Sequence, residues 1–398
     1  MPISPLIITA SSMVNSLGCG KKATLDALQQ MRSGLEASEN LDFSTWVGNV
    51  AETDNVCLEK ELKPFQCRNN QLAKLCLDTD DFRSAVDQAI EKYGAHRIGV
   101  FLGSSTSGSA ETEEAYQKRD EDGNLPSNFE FMHTHNFSSL LDYTQQSLGI
   151  TGVGQVISTA CSSSAKVFAT AYRHIQSGFC DAAIVGGVDT LTQISLYGFN
   201  SLQLTSVEPC RPGDKDRDGI SIGEAGGFAL LETLESAEST KGVILKGFGE
   251  SSDAYHMSTP HPEGAGAADA IQKALKNAAL NAADIDYVNL HGTATPSNDA
   301  AEDKAITTVF GTQTPCSSTK GWTGHTLGAA GITEALICML ILENQFLPAS
   351  LNLTTPDPTL NSNFLLENTT PQQTIKYIAS NSFGFGGSNC SLIFGLQS

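Results

Sequence analysis

The chain has 398 residues, 40% of them hydrophobic, and a formal charge of −20. That is enough apolar material for one large or two ordinary domains with a buried core. The charge argues against nucleic acid and anionic membranes as partners, because both are bound by clustered Lys and Arg.

In chain order, the N-terminal MPISPLIITASSM lacks a basic leader and a signal-length apolar stretch. The longest apolar run, ALICMLIL from Ala335 to Leu342, is far too short to span a bilayer. A cytoplasmic protein with no membrane span is therefore expected. LGCGKKAT (Leu17 to Thr24) is not a phosphate loop, since Lys22 follows Lys21 where Ser or Thr is needed and the preceding spacing is wrong; it reads as a helix start. Lys63 with Arg68, and Lys118 with Arg119 in YQKRD, are the few candidates for a local positive patch, although blocks this short are ordinarily just exposed charges. RIGVFLGSSTSG (Arg97 to Gly108) predicts a buried strand running into a glycine turn. His133 and His135 in HTH have no ligand partner at useful spacing, so no metal is expected there. Nor do the ten cysteines form a C-x-x-C pair, which makes them free thiols of a reducing compartment.

The segment ISTACSSSAKVFATAYRHIQSG (Ile157 to Gly178) carries Phe168, Ala169, Tyr172 and Ile175 at helical spacing and stops at a glycine. Cys161 is expected in the first turn of that helix. Unpaired N–H groups and the positive dipole end would there lower the thiol's pKa and prepare a nucleophile. The alternative is a buried structural cysteine, because free Cys is among the most buried residue types.

Further strands are predicted in DAAIVGGVD (Asp181 to Asp189), YVNLHGT (Tyr287 to Thr293) and YIASNSFGFGGSN (Tyr377 to Asn389). Helical patterns such as GAADAIQKALKNAAL and LGAAGITEALICMLILEN alternate with them, which predicts α/β layers with reactive groups following the strands. No linker, low-complexity tract or strong fixed-period repeat is present, and two similar α/β halves are compatible with the pattern. His291 directly follows a strand. Lys320 and His325 stand five residues apart in SSTKGWTGHTLGAAG, where Gly328, Ala329, Ala330 and Gly331 permit close packing. Phe383 and Phe385 sit in a glycine-rich turn, and GFGGSN is no dinucleotide fingerprint because no βαβ unit can follow it.

Taken together, TACSSSA, DRDGISIGEAGG, HGTATPSNDAAE, TKGWTGHTLGAAG and SNSFGFGGSN resemble the β-ketoacyl–acyl carrier protein synthases, or ketosynthases, over nearly the whole chain. The resemblance implies a thiolase-like α/β fold of two similar βαβαβαββ halves in five layers, α/β/α/β/α. It divides the chain into residues 1–240, with the nucleophilic cysteine, and residues 241–398, with both histidines. It implies decarboxylative condensation of an acyl-enzyme with malonyl carrier protein. Cys161 would be the acyl acceptor, His291 and His325 the donors to the enolate oxygen, and the backbone N–H groups of Cys161 and Phe385 the oxyanion hole. Lys320 would support the histidines, paired with Glu302.

The same resemblance places Thr293 and Thr295 on the phosphopantetheine arm, although both also read as ordinary turn threonines, Phe383 and Phe385 at the acyl gate, and Thr106 in the acyl pocket. Asn298 stands where glycine is common, and Asn289, Glu334, Ser380 and Asn381 match a structural monovalent-cation site. No cofactor on the enzyme is implied, phosphopantetheine being carried by the acyl carrier protein. The expected partners are that carrier protein, docked on Lys63, Arg68, Lys118 and Arg119, and a second subunit. CRNNQL, GSSTSG and CRPGDKDRDGISIGEAGG are most similar to ketosynthases of bacterial aryl-polyene clusters, which would make the second subunit a chain-length-factor-like homologue. A housekeeping fatty-acid synthase is the alternative. A non-catalytic partner subunit would not need Cys161, His291, Lys320 and His325 together, and a cysteine hydrolase would leave the second histidine and Lys320 unused.

Overall fold

The computed structural model describes residues 2–39, 41–239 and 241–397. Its first half supplies strands β1 (Leu6–Asn15), β2 (Ile98–Gly103), β3 (Gly154–Ile157), β4 (Ala182–Asp189) and β5 (Ala225–Thr233). The second supplies β6 (Gly242–Ser252), β7 (Tyr287–Asn289), β8 (Pro315–Ser317), β9 (Tyr377–Gly384) and β10 (Ser388–Gln397). Hydrogen-bonded neighbours run β3-β2-β4-β5-β1 and continue β6-β10-β9-β7-β8, joined where Leu6 and Ile7 pair antiparallel with Leu245 and Ile244. Outward from that junction both halves read first, fifth, fourth, second, third strand. The repeat lies in topology, and no sequence period marks it.

The helices complete the layers. In chain order they are α1 (Arg68–Leu77), α2 (Phe82–Tyr93), α3 (Ser138–Leu148), α4 (Ser163–Gln176), α5 (Ala265–Ala278), α6 (Pro296–Phe310) and α7 (Ala330–Asn344). Helices α1 to α3 share a core with β2, β4 and β5 through Leu72, Phe82, Leu140, Val100, Ile184 and Phe228. On the other half, α5 and α6 pack Ile271, Leu275 and Ile306 against Val288, Ala379 and Ile393. Helices α4 and α7 bridge the two halves, and their Phe168, Leu336 and Ile337 meet strands of both in one cluster. A helix enclosed on all sides needs no polar face. Ala330 through Leu342 is accordingly buried without a break, and the apolar stretch Leu327–Asn344, long enough to cross a membrane, is 89% buried in the protein.

Small residues set the distance between the two middle helices. A Cβ at Gly331 would come within 2.4 Å of the Ala165 backbone nitrogen, so only glycine lets α7 approach α4 this closely. That contact brings the start of α4, after the cysteine, to the start of α7, after His325. The site is assembled where the halves meet.

Candidate active site

Cys161 lies on a sharp elbow between β3 and α4. The preceding Ala160 has φ +52°, the left-handed region that costs a non-glycine residue roughly 1–3 kcal/mol. The serines that follow hold the elbow in place. Ser162 Oγ donates to the Thr159 carbonyl, Ser163 Oγ donates to the Ala160 carbonyl while accepting from the Thr159 N–H, and Ser164 Oγ accepts from the Ile332 N–H of α7. The helix itself begins at Ser163 with Ser162 as N-cap, so Cys161 stands just ahead of the first turn in which it was expected.

His325 faces Cys161, with Nε2 3.1 Å from Sγ. Its Nδ1 accepts the Leu327 N–H at 3.1 Å, which leaves the ring proton on Nε2. His291 stands edge-on to His325, ring centroids 5.3 Å apart. Behind it Lys320 Nζ lies 3.3 Å from Nδ1, and since an ammonium only donates, the proton of His291 is likewise on Nε2. Both rings thus present N–H groups to Cys161. The cysteine and the two histidines lie close enough to hold a metal, with ligand atoms all within 4.8 Å of one another. Yet a metal needs ring lone pairs, and the donors behind each ring direct protons inward instead.

The expected Lys320–Glu302 pair is not formed. Lys320 Nζ donates to Glu334 Oε1 from α7, to the His291 carbonyl and to His291 Nδ1, which uses all three of its protons. Glu302 on α6 instead accepts the backbone N–H groups of His291 and Gly292 at 2.8 and 2.7 Å and so fixes the turn that aims the ring. Glu334 is the one charged residue among the apolar positions of α7 before Glu343, and that isolation was the sequence signal for it. Of the implied cation ligands, Asn289 Oδ1 and Glu334 Oε2 are buried without hydrogen-bond partners, hard oxygens of the kind a monovalent cation takes, while Asn381 Oδ1 already accepts from Ser391.

Burial dominates the electrostatics. It pushes the Cys161 thiol up to about 11, against the smaller pull of Lys320 and of the Phe385 and Cys161 backbone N–H groups. The acidified thiol expected from the helix dipole is therefore overturned by desolvation. Burial first, then the Lys320 charge, holds both histidines well below the usual imidazole range, so both are neutral near pH 7. A thiol titrating this high is protonated at neutral pH. Alkylation of Cys161 by iodoacetamide, followed by peptide mass mapping, is expected to accelerate about tenfold per unit from roughly pH 7 to roughly pH 9. A plateau by about pH 8 would show that the site acidifies the thiol after all.

The reactive groups line a narrow cavity of about 50 Å³ together with Thr293, Thr295, Phe383, Phe385, Phe199 and Asn298. Thr293 and Thr295 hydroxyls are 2.9 Å apart, and the Phe385 ring rests on Phe199 with centroids 5.6 Å apart. Gly384 packs close to Cys161, since a Cβ there would lie 3.3 Å from its backbone nitrogen. Thr106 is not among the lining residues; it is buried, and its hydroxyl and N–H are spent on Asp189.

The four basic residues also separate. Arg68 is bound to the buried Glu224 through Nη2 at 2.6 Å and Nε at 3.0 Å, and to Asp54, so it is structural rather than free for docking. Lys63 and Lys118 are exposed on a groove of about 640 Å³ shared with Glu111, Glu114 and Glu130, and Lys118 is paired with Glu114. Arg119 lies over the Tyr116 ring. Replacing Arg68 with alanine strands Glu224 and is expected to cost about 3–5 kcal/mol in denaturant unfolding. A loss of carrier affinity at unchanged stability would instead restore Arg68 to the docking surface.

Residues 5–237 match the N-terminal domain of beta-ketoacyl synthase and residues 243–354 its C-terminal domain. The chain belongs to the beta-ketoacyl synthase family. It is 34% identical to 3-oxoacyl-[acyl-carrier-protein] synthase 2 of Vibrio cholerae, with 98% of each chain covered, and 31% identical to that of Staphylococcus aureus, with 98% of this chain and all of the other covered. The ketosynthase ApeO, solved in complex with its chain length factor ApeC from Xenorhabdus doucetiae, superposes with a TM-score of 0.89 at 36% identity, over 99% of this chain and 98% of the other. The fold is thiolase-like, and the protein is an acyltransferase, a 3-oxoacyl-[acyl-carrier-protein] synthase that condenses acyl and malonyl thioesters.

Proposed function

We propose that this synthase extends an aryl-primed polyene chain on a dedicated acyl carrier protein, with Cys161 as acyl acceptor and His291 and His325 as the donors that drive decarboxylation. The observation that carries the chemistry is the pair of neutral rings held with Nε2–H toward the cysteine by Lys320 and the Leu327 N–H. In the first half-reaction Cys161 Sγ attacks the carrier thioester, and the carbonyl oxygen takes the backbone N–H groups of Cys161 and Phe385. The pantetheine sulfur leaves with the proton that the thiol gave up, so no external base is consumed.

In the second half-reaction the malonyl thioester oxygen takes the two Nε2–H groups, whose donors are worth about 100–1000-fold each at a developing oxyanion. The bond to the carboxylate breaks, CO₂ leaves, and the electron pair moves to the α-carbon. That carbon attacks the Cys161 thioester, forming the new C–C bond and expelling the thiolate, which takes a proton from water. A cavity of about 50 Å³ is far below the usual ligand-pocket range of roughly 300 Å³ and above. Seating a chain therefore requires Phe385 to swing away from Phe199, for which Gly386 and Gly387, at φ +79° and +71°, supply the backbone freedom.

The polyene assignment rests on CRNNQL, GSSTSG and CRPGDKDRDGISIGEAGG and on the likeness to a ketosynthase solved with a chain length factor. By the same likeness this chain works as a heterodimer with a chain-length-factor-like subunit. The curated fatty-acid-type relatives, matched end to end, favour a housekeeping role as the second reading. Intact-mass measurement of the protein, alone and co-expressed with its partner, after incubation with saturated and aryl-polyene acyl carrier proteins separates the two. Preferential loading from the polyene carrier supports the first reading, and preferential loading from the saturated carrier the second.

A further inference from the structure

The turn after His325 is held by a carboxylate to which the chemistry above assigns no part. Leu327 has φ +53°, an unfavourable left-handed conformation for a residue with a side chain. In that conformation its N–H reaches back to His325 Nδ1, the contact that puts the ring proton on Nε2. The next N–H, that of Gly328, donates to Asp189 Oδ2 at 2.5 Å. Asp189 ends β4 and is fully buried.

The rest of its carboxylate is equally engaged. Oδ1 accepts the Ser104 and Thr106 hydroxyls at 2.7 and 2.8 Å and the Ser105 and Thr106 N–H groups at 2.8 and 2.9 Å. Among the described residues no Lys or Arg pairs with it; hydrogen-bond donors alone oppose its burial, which still holds the carboxyl above its ordinary range. Gly328 belongs to the same arrangement. A Cβ there would stand 2.7 Å from Asp189 Oδ2 and 2.6 Å from Ser105 Oγ, so a side chain would push the N–H off the carboxylate.

We infer that Asp189 is a positioning residue for His325: by anchoring the Gly328 N–H it holds the Leu327 peptide in the turn that keeps His325 as the Nε2–H tautomer facing Cys161. The inference rests on reading His325 as a hydrogen-bond donor in condensation. An amide at position 189 would turn an NH₂ group toward donors, because one oxygen cannot serve all five groups that now converge there.

The test uses the full chain with ¹⁵N-labelled histidine, its His325 signals assigned by comparison with His325→Ala. Long-range ¹H–¹⁵N spectra are recorded for wild type, Asp189→Asn and Gly328→Ala, beside thermal unfolding and steady-state condensation. The expected result is a single Nε2–H tautomer in wild type and a mixture in both variants. In each variant that keeps a cooperative unfolding transition, kcat should fall about 100-fold with KM for the carrier changed less than about threefold. Retention of the Nε2–H tautomer in a folded variant, whatever its activity, overturns the inference. If wild type co-expressed with its partner subunit fails to load an acyl group yet its His325 tautomer responds to position 189, the condensation reading is lost and the positioning role stands. Gly328→Ala leaves the carboxylate intact, so it carries the test if Asp189→Asn does not fold.

Discussion

Replacing Cys161 with alanine is expected to abolish acyl loading and condensation together, a loss of at least about 10⁴-fold in turnover, while the fold is kept. The side chain is buried, but it is small and leaves only a thiol-sized gap between the elbow and His325. The elbow itself is held by Ser162, Ser163 and Ser164, none of which depends on the sulfur. Turnover and intact mass are the readouts. A non-catalytic subunit would support product formation unchanged in the variant, and a hydrolase would lose thioester cleavage in place of chain extension.

Lys320→Met carries the second large effect, because one ammonium serves both stability and chemistry. Its loss leaves the Glu334 carboxylate buried in α7 without its cation, at a cost of about 3–5 kcal/mol in denaturant unfolding. Burial already pushes Glu334 up to about 7, with Lys320 the main opposing influence, so in the variant the carboxyl should take up a proton at neutral pH. That protonated form binds a proton the unfolded chain releases above its ordinary pKa near 4.5. The variant should therefore lose stability as pH rises from about 5 toward 8, the sign expected of a raised carboxyl pKa. His291 at the same time loses the donor that fixes its tautomer, and decarboxylation should fall by about 100-fold or more. A variant as stable as wild type, with a flat pH profile, would show that Lys320 and Glu334 do not form the pair described.

Local signals in the sequence were reliable where local physics decides the outcome. The apolar runs around Val100, Ile184, Val288 and Ala379 form strands, and the periodic pattern after Cys161 forms α4. Gly331 permits the close approach of α7 to α4, while Gly328 makes room for Ser105 and Asp189. The residues carrying the ketosynthase resemblance, Cys161, His291, Lys320 and His325, converge from an elbow, a strand end, a one-turn helix (Lys320–Thr323) and the turn after it.

The misreadings share one cause: a charge seen along the chain does not announce its partner across the fold. The resemblance pairs Lys320 with Glu302, whereas Glu334, one helix further on, takes that place. Arg68 read as a free surface cation, yet its partner Glu224 lies 156 residues away and fully buried. The Cys161 thiol read as acidified because helix position is visible in sequence and desolvation is not. Asp189 follows the same rule, an acid at the end of an apolar strand whose donors come from two other segments. The repeat of the two halves is visible in their strand order, which no sequence period marks.

Condensation at Cys161 is followed directly by a two-step mass measurement. The protein is first loaded from an acyl carrier protein and the adduct mapped to its peptide, after which malonyl carrier protein is added and both proteins are weighed again. The expected result is an acyl group on Cys161 that disappears from the enzyme as a 3-oxoacyl group two carbons longer appears on the carrier, with release of CO₂. Loss of the acyl group as free acid, with the malonyl carrier unchanged in mass, would contradict it.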